Sequence, residues 1–164
     1  MTEAEKRLHR CCFTGHRPEK MDHSEEIVVQ KLERAIRAAI ARGLTVFIVG
    51  MAPGVDILAG EIVIRLRDEE GLPLRLIAAE PHLDFDKRWD AHWQKRYHFV
   101  LESSDHKTVV CKHNRPSAYQ ERNRFMVDHS AYVIAYWSGG SGGTRNTVLY
   151  AEKAGVPVEN VYES

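Results

Sequence analysis

Thr45-Val46-Phe47-Ile48-Val49-Gly50-Met51-Ala52-Pro53-Gly54-Val55-Asp56 is the stretch that decides the fold. Its first five residues are a β-branched and aromatic run that stops at a glycine, which reads as a strand and its end. A helix follows from Val55 to Arg67, with Ile57, Leu58, Ile62 and Leu66 on its apolar side. The unit is therefore a strand, a glycine turn and a helix. Upstream the same unit occurs once before. Leu8 to Thr14 reads as a strand ending at Gly15-His16-Arg17-Pro18, and Ile27, Val28, Leu32, Ala35, Ile36, Ala39 and Ile40 then recur at helical spacing until Gly43 supplies a stop. Downstream it continues with a strand at Leu74–Ala79 and a helix over Phe85–Ser103, whose buried stripe is expected to hold Trp89, Trp93, Phe99 and Val100. Next come a short strand at Thr108–Cys111, a helix over Ser117–His129, a strand at Ala131–Trp137, a helix over Thr144–Ala154 closed by Gly155, and a last strand at Val158–Tyr162.

Strands alternating with helices of ten or more residues imply βαβ units and a mostly parallel sheet covered on both faces. The expected fold is α/β, a Rossmann-like three-layer sandwich with a mostly parallel central sheet. No repeat, low-complexity run or linker divides the chain, so residues 1–164 are expected to form one domain, and 164 residues suffice for one core. In such sheets a ligand lies beyond the carboxyl ends of the strands, near the point where strand order reverses. The residues that follow each strand are thus the candidates for chemistry.

Composition narrows the partners. Lysine and arginine (23) balance aspartate and glutamate (23), so no global field draws the chain to nucleic acid or to an anionic membrane, and any anion site must be local. The apolar runs are far too short to span a bilayer, and MTEAEKRLHR has no signal-peptide core. The three cysteines, Cys11, Cys12 and Cys111, make neither an even framework nor a C-x-x-C pair. A cytoplasmic location without membrane association is the expectation, with the cysteines serving as small apolar strand residues. Nine histidines invite a metal reading, but none lies in H-E-x-x-H, and Cys111 with His113 has no second ligand pair, so no metal and no cofactor is expected.

Three strand ends carry glycine turns. Gly15 allows a tight turn beside His16, and Arg17 offers a planar fork of donors suited to phosphate or carboxylate. Gly50 to Asp56 leads straight into a helix, whose free N–H groups and positive dipole end suit an anion. It is neither a Walker A loop nor a full G-x-G-x-x-G. Asp56 either caps that helix or binds a ribose hydroxyl. Ser138-Gly139-Gly140-Ser141-Gly142-Gly143-Thr144 is the strongest local signal, because four glycines in six residues clear the approach of a ligand to another helix start while Ser141 and Thr144 add hydroxyls. On the helix from Ser117, Tyr119, Arg122 and Asn123 lie three and four apart, which aligns a ring, a cation and an amide. Glu80 follows the third strand, and Glu61 lies further along the helix that Asp56 opens.

Taken in order, FTGHRPEK (Phe13–Lys20), GMAPGVDILAGE (Gly50–Glu61), YQERNRFMVD (Tyr119–Asp128) and SGGSGGTRNTVLYAEKAG (Ser138–Gly155) resemble the YspA/YpsA-like branch of the SLOG superfamily. The resemblance runs from about Phe13 to Gly155 and implies a Rossmann-like domain that binds a nucleotide or a nucleotide derivative, as a sensor or effector. Two distantly similar groups offer rival functions. The Lonely Guy phosphoribohydrolases carry a catalytic glutamate soon after their glycine loop. Here Arg145, Asn146 and Thr147 follow Thr144 and Glu152 is two turns into the helix, so hydrolysis would need Glu61 or Glu80 to act on the oxocarbenium-like state. The DNA-processing proteins of transformation share the turn that resembles Gly50 to Asp56 and would imply single-stranded nucleic-acid binding, against which the balanced charge argues.

The expected ligand is a phosphate-bearing, ADP-ribose-like nucleotide. Gly15, His16, Arg17, Gly50, Gly54, Asp56, Tyr119, Arg122, Asn123, Gly139, Gly140, Ser141, Gly142, Gly143 and Thr144 would hold it, with Glu61 and Glu80 the catalytic candidates if it is turned over. Domains with such loops are often dimeric, and a homodimer is the alternative to a monomer.

Overall fold

The computed structural model describes all 164 residues. Along the chain run α1 (Glu3–Arg7), β1 (Arg10–Gly15), a 3-10 turn at Pro18–Lys20, α2 (Glu25–Ala41), β2 (Val46–Val49), α3 (Val55–Glu69) and β3 (Arg75–Glu80). They are followed by α4 (Ala91–Ser103), β4 (His106–Val109), α5 (Ala118–Asp128), β5 (Tyr132–Tyr136), α6 (Gly143–Lys153) and β6 (Val158–Asn160). The strands form one sheet in the order β4-β3-β2-β1-β5-β6, and every neighbouring pair is parallel. The sheet is thus parallel throughout, as α/β crossovers require.

Alternation along the strands divides the core into two layers. Cys11, Phe13, Phe47, Val49, Ile134 and Tyr136 join the larger apolar cluster, into which α2, α3 and α4 place Leu32, Ile36, Leu58, Ile62, Tyr97 and Val100. Cys12, Ile48 and Val133 face the other way, onto Met126 and Val127 of α5 and Ala151 of α6. Helices therefore cover both faces, and the strands are buried because their residues are apolar on both sides. All three cysteines are buried and unpaired. Burial pushes the Cys12 thiol up to about 12, which keeps it protonated and inert. No helix is long and apolar enough to cross a membrane.

The structure corrects several boundaries. α4 begins at Ala91, because the Asp90 side chain accepts the Trp93 amide (3.0 Å) and caps the helix there. Residues 85–90 instead fold into turns that bury Phe85 against Trp89, Tyr97 and Tyr119. Tyr97 and Val100 are the buried residues of α4, while Phe99 is 51% exposed. β4 lies two residues earlier than its apolar residues suggest, since this edge strand is exposed along most of its length and hydrophobicity does not mark it. The short α1 is an addition, set by the capping box of Thr2 and Glu5.

Strand order reverses at β1, which has β2 on one side and β5 on the other. The chain leaves β1 for α2 and leaves β5 for α6, so the loops after these two adjacent strands diverge. A crevice between them is the geometric consequence.

Candidate functional site

A cavity of about 280 Å³ occupies this crevice. One wall is the end of β1 and the 3-10 turn, from Phe13 to Arg17 with Glu19 and Lys20. The opposite wall is Ser141, Gly142, Gly143 and Thr144. Ala52 and Asp56 come from the start of α3, and Tyr119, Arg122 and Asn123 from α5. Three cations (Arg17, Lys20 and Arg122) thus meet two carboxylates (Glu19 and Asp56) in a chain of zero net charge. The site has the local positive excess that the whole molecule lacks.

The start of α6 is its most open element. Gly142 is the N-cap, and no side chain caps the helix. The amides of Gly143, Thr144 and Arg145 have no acceptor in the chain. A Cβ added at Gly139, Gly140, Gly142 or Gly143 would meet nothing within 4 Å. These glycines leave backbone donors and the positive end of the helix dipole accessible from the cavity.

Arg122 lines the same cavity and is 4% exposed. Its Nη1 donates to the Gly50 carbonyl and its Nε to Asn123 Oδ1 (2.8 Å), while Nη2 has no partner in the chain. Burial lowers its pKa, a shift opposed by the charge of Asp56 and reinforced by that of Arg17. Its guanidinium carbon is 6.0 Å from the centre of the Tyr119 ring. Asp56, 6% exposed, accepts the Ala52 amide on Oδ2 (3.2 Å). Burial raises its pKa, and the charge of Arg122, the Ala52 amide and Arg17 oppose that rise. So Asp56 does accept a backbone amide at this turn, yet it also lines the cavity.

His16 joins the two walls. Its Nε2 accepts the Ser138 amide (3.1 Å) and lies 3.0 Å from Ser138 Oγ, which makes Nε2 the unprotonated nitrogen. Burial, aided by Lys20, lowers its pKa.

Of the residues expected from the sequence, Gly15, His16, Arg17, Asp56, Tyr119, Arg122, Asn123, Ser141, Gly142, Gly143 and Thr144 line the cavity together. Gly50 and Gly54 do not. Gly54 has φ +93°, and a Cβ there would lie 2.5 Å from the His16 carbonyl, while one at Gly50 would lie 2.8 Å from Asp56 Oδ2. Both are positions of close packing behind the wall. Gly139 and Gly140 belong to the same open loop but do not line the cavity, and Gly139 borders a neighbouring depression with Trp137 and Tyr162. The two catalytic candidates are elsewhere. Glu61 forms a two-pronged ion pair with Arg96 (2.6 and 2.9 Å), and Glu80 accepts the Tyr97 hydroxyl beneath the aromatic cluster, its pKa raised by burial. Neither lines the cavity.

Sequence reasoning missed Glu19 and Lys20. Their signal was present in Pro18, which fixes φ for a short turn and brings Lys20 back toward Arg17, with its amide on the Arg17 carbonyl (2.9 Å).

The family model described as "YpsA: YspA SLOG family" matches residues 11–155. The chain belongs to that family. Among curated relatives, the UPF0398 proteins of Bacillus thuringiensis (strain Al Hakam) and Bacillus cereus (strain Q1) are each 25% identical over 157 residues, covering 91% of this chain and 85% of theirs. Among solved structures, DNA processing protein A from Helicobacter pylori, described by its single-stranded DNA binding mode, is similar at a TM-score of 0.62 and 20% identity over 95% of this chain. DNA processing protein A (DprA) from Streptococcus pneumoniae gives 0.64 and 18% over 92%. This SLOG chain spans 66% and 49% of the length of those two structures, and the likeness is one of fold.

Proposed function

We propose that this SLOG domain binds a phosphate-bearing nucleotide or nucleotide derivative across the ends of β1 and β5, as the sensing or effector part of a larger response. The observation that carries the reading is the pairing of an uncapped helix start at Gly143–Thr144 with the buried Arg122, whose Nη2 has no partner in the chain. A buried guanidinium is retained where its donors find acceptors, and Nη2 is left for an acceptor on the ligand. Backbone amides of α6 with the more exposed Arg17 and Lys20 form a set of donors suited to phosphate oxygens, beside which Arg122 adds positive charge. Tyr119 and Asn123 offer a ring face and an amide for a base. Binding without turnover is favoured over hydrolysis, because Glu61 and Glu80, the two candidate catalytic carboxylates, are engaged outside the cavity.

The test is a melting panel of AMP, ADP, ATP, NAD, ADP-ribose, cyclic dinucleotides and short single-stranded DNA, with each mixture chromatographed afterwards. At about 100 times Kd a ligand adds about 2.7 kcal/mol, or roughly 5–10 °C for a chain of this size. Stabilisation by an intact nucleotide supports the proposal. Released base would make the domain a hydrolase, and a response to DNA alone, steep in salt, would make it a nucleic-acid binder. No response to any nucleotide at millimolar concentration overturns the proposal.

A further inference from the structure

Asp56 and Arg122 both pack against Gly50. A Cβ at that position would lie 2.8 Å from Asp56 Oδ2 and 2.9 Å from Arg122 Cζ. They influence each other as charges, without a hydrogen bond between them. Asp56 uses Oδ2 for the Ala52 amide, and Arg122 uses Nη1 and Nε for Gly50 and Asn123, which leaves Asp56 Oδ1 and Arg122 Nη2 without partners. The one fully buried side-chain polar atom without a partner is Ser130 Oγ. Oδ1 and Nη2 are thus not fully buried, and both residues line the cavity. Two side chains that are more than nine-tenths buried thus present one acceptor and one donor to the ligand.

This pair is a filter. A phosphate satisfies Nη2 but is repelled by Oδ1, because it has no proton to donate to a carboxylate. A hydroxyl both donates and accepts, so a vicinal diol satisfies the two atoms together. A base edge with adjacent donor and acceptor could also do so. The flat stacking surface, however, is Tyr119, the exposed ring of the cavity at 36%, and a base stacked there turns its face rather than its edge to the protein. In a nucleotide the sugar lies between phosphate and base. With phosphate on the α6 amides and base on Tyr119, the diol is the part left for the buried pair.

Resting on the nucleotide reading above, we infer that the ligand carries a ribose with both vicinal hydroxyls free, held by Asp56 and Arg122, so that the site takes ribonucleotides and rejects deoxyribonucleotides and DNA. A buried acceptor left without its donor discriminates strongly against the analogue that lacks the hydroxyl.

The experiment is calorimetric titration of the whole chain with matched ribo-, 2′-deoxy- and 3′-deoxynucleoside mono- and diphosphates of each base. The expected result is that whichever ribonucleotide binds most tightly loses about tenfold or more in affinity when either hydroxyl is removed. In Asp56→Asn, which keeps the shape but forms a weaker neutral hydrogen bond, that ratio should shrink several-fold. Equal affinity for ribo- and deoxy-forms in the wild type, with discrimination among bases, overturns the ribose assignment while leaving nucleotide binding intact. No binding by any of them overturns the nucleotide reading as well. The wild-type ratio decides the matter even if Asp56→Asn fails to fold.

Discussion

The turns after β1 and β2 and the turn after β5 carry the same sequence device, glycines before or at the start of a helix, but the fold uses them in opposite ways. At the first pair the glycines are filled by the protein itself. A Cβ on Gly15 would lie 2.5 Å from Val55 Cβ, one on Gly54 would lie 2.5 Å from the His16 carbonyl, and the Val55 amide donates to that same carbonyl (3.2 Å). The β1 loop thus rests on the start of α3. At the β5 turn a Cβ on any of the four glycines would touch nothing within 4 Å, and the first α6 amides keep their donors free. Glycine at a strand end therefore has two meanings in one molecule, close approach of backbone to backbone and close approach of backbone to a ligand. Only the second leaves backbone donors open to a ligand, although Gly15 of the first pair also lines the cavity.

The largest effect should come from filling the packed turn. Gly54→Ala adds a Cβ against a carbonyl at φ +93°, and a loss of about 2–4 kcal/mol in unfolding free energy is expected from strain and overpacking together. Denaturant melts of the purified variant measure it, and a change under about 0.5 kcal/mol would mean that the two turns are not different in kind. Gly143→Asp should do the reverse. Its Cβ meets nothing, and a carboxylate in the first turn of α6 favours the helix by roughly 0.3–1 kcal/mol, so the free protein should melt no lower than wild type. The same carboxylate occupies the proposed anion position, so nucleotide stabilisation should vanish.

How much of this was legible in the sequence follows from the same contrast. The βαβ alternation was readable because the strand and helix periods are clear in the buried elements, such as Val46–Val49 and the face of α2. The edge strand β4 and the turns at 85–90 were not, since His106 and Lys107 are exposed and Phe85 finds its partners across the fold. The glycine turns were visible as candidates, but whether a glycine is filled or open depends on what packs over it. Gly50 and Gly54 therefore looked like Gly142 and Gly143. Glu61 and Glu80 show the same limit, because their partners Arg96 and Tyr97 lie on α4, far along the chain.

Smaller effects sharpen the comparison. Glu61→Gln should leave nucleotide affinity unchanged and lower stability by about 0–1 kcal/mol, as for a partly exposed ion pair. A selective loss of ligand with unchanged stability would return Glu61 to the site. His16, which ties the packed turn to the open one, gives a pH dependence. Its folded pKa lies below the ordinary histidine value of about 6.5. Its contribution to stability is therefore complete above pH 6.5 or so and is lost as pH falls from there through the folded value, because the unfolded chain takes up the proton first. Melts between pH 7.5 and 5 should show this loss in wild type, and it should be smaller in His16→Gln, which can accept the Ser138 amide but cannot titrate.

The most direct test of the central claim is to melt wild type and Gly143→Asp side by side, each alone and with the nucleotide that stabilises wild type best. The account predicts a clear upward shift for wild type, no shift for Gly143→Asp, and a ligand-free midpoint for the variant at or above that of wild type. An equal shift in both proteins would contradict it, because the anion would then be held somewhere other than the start of α6.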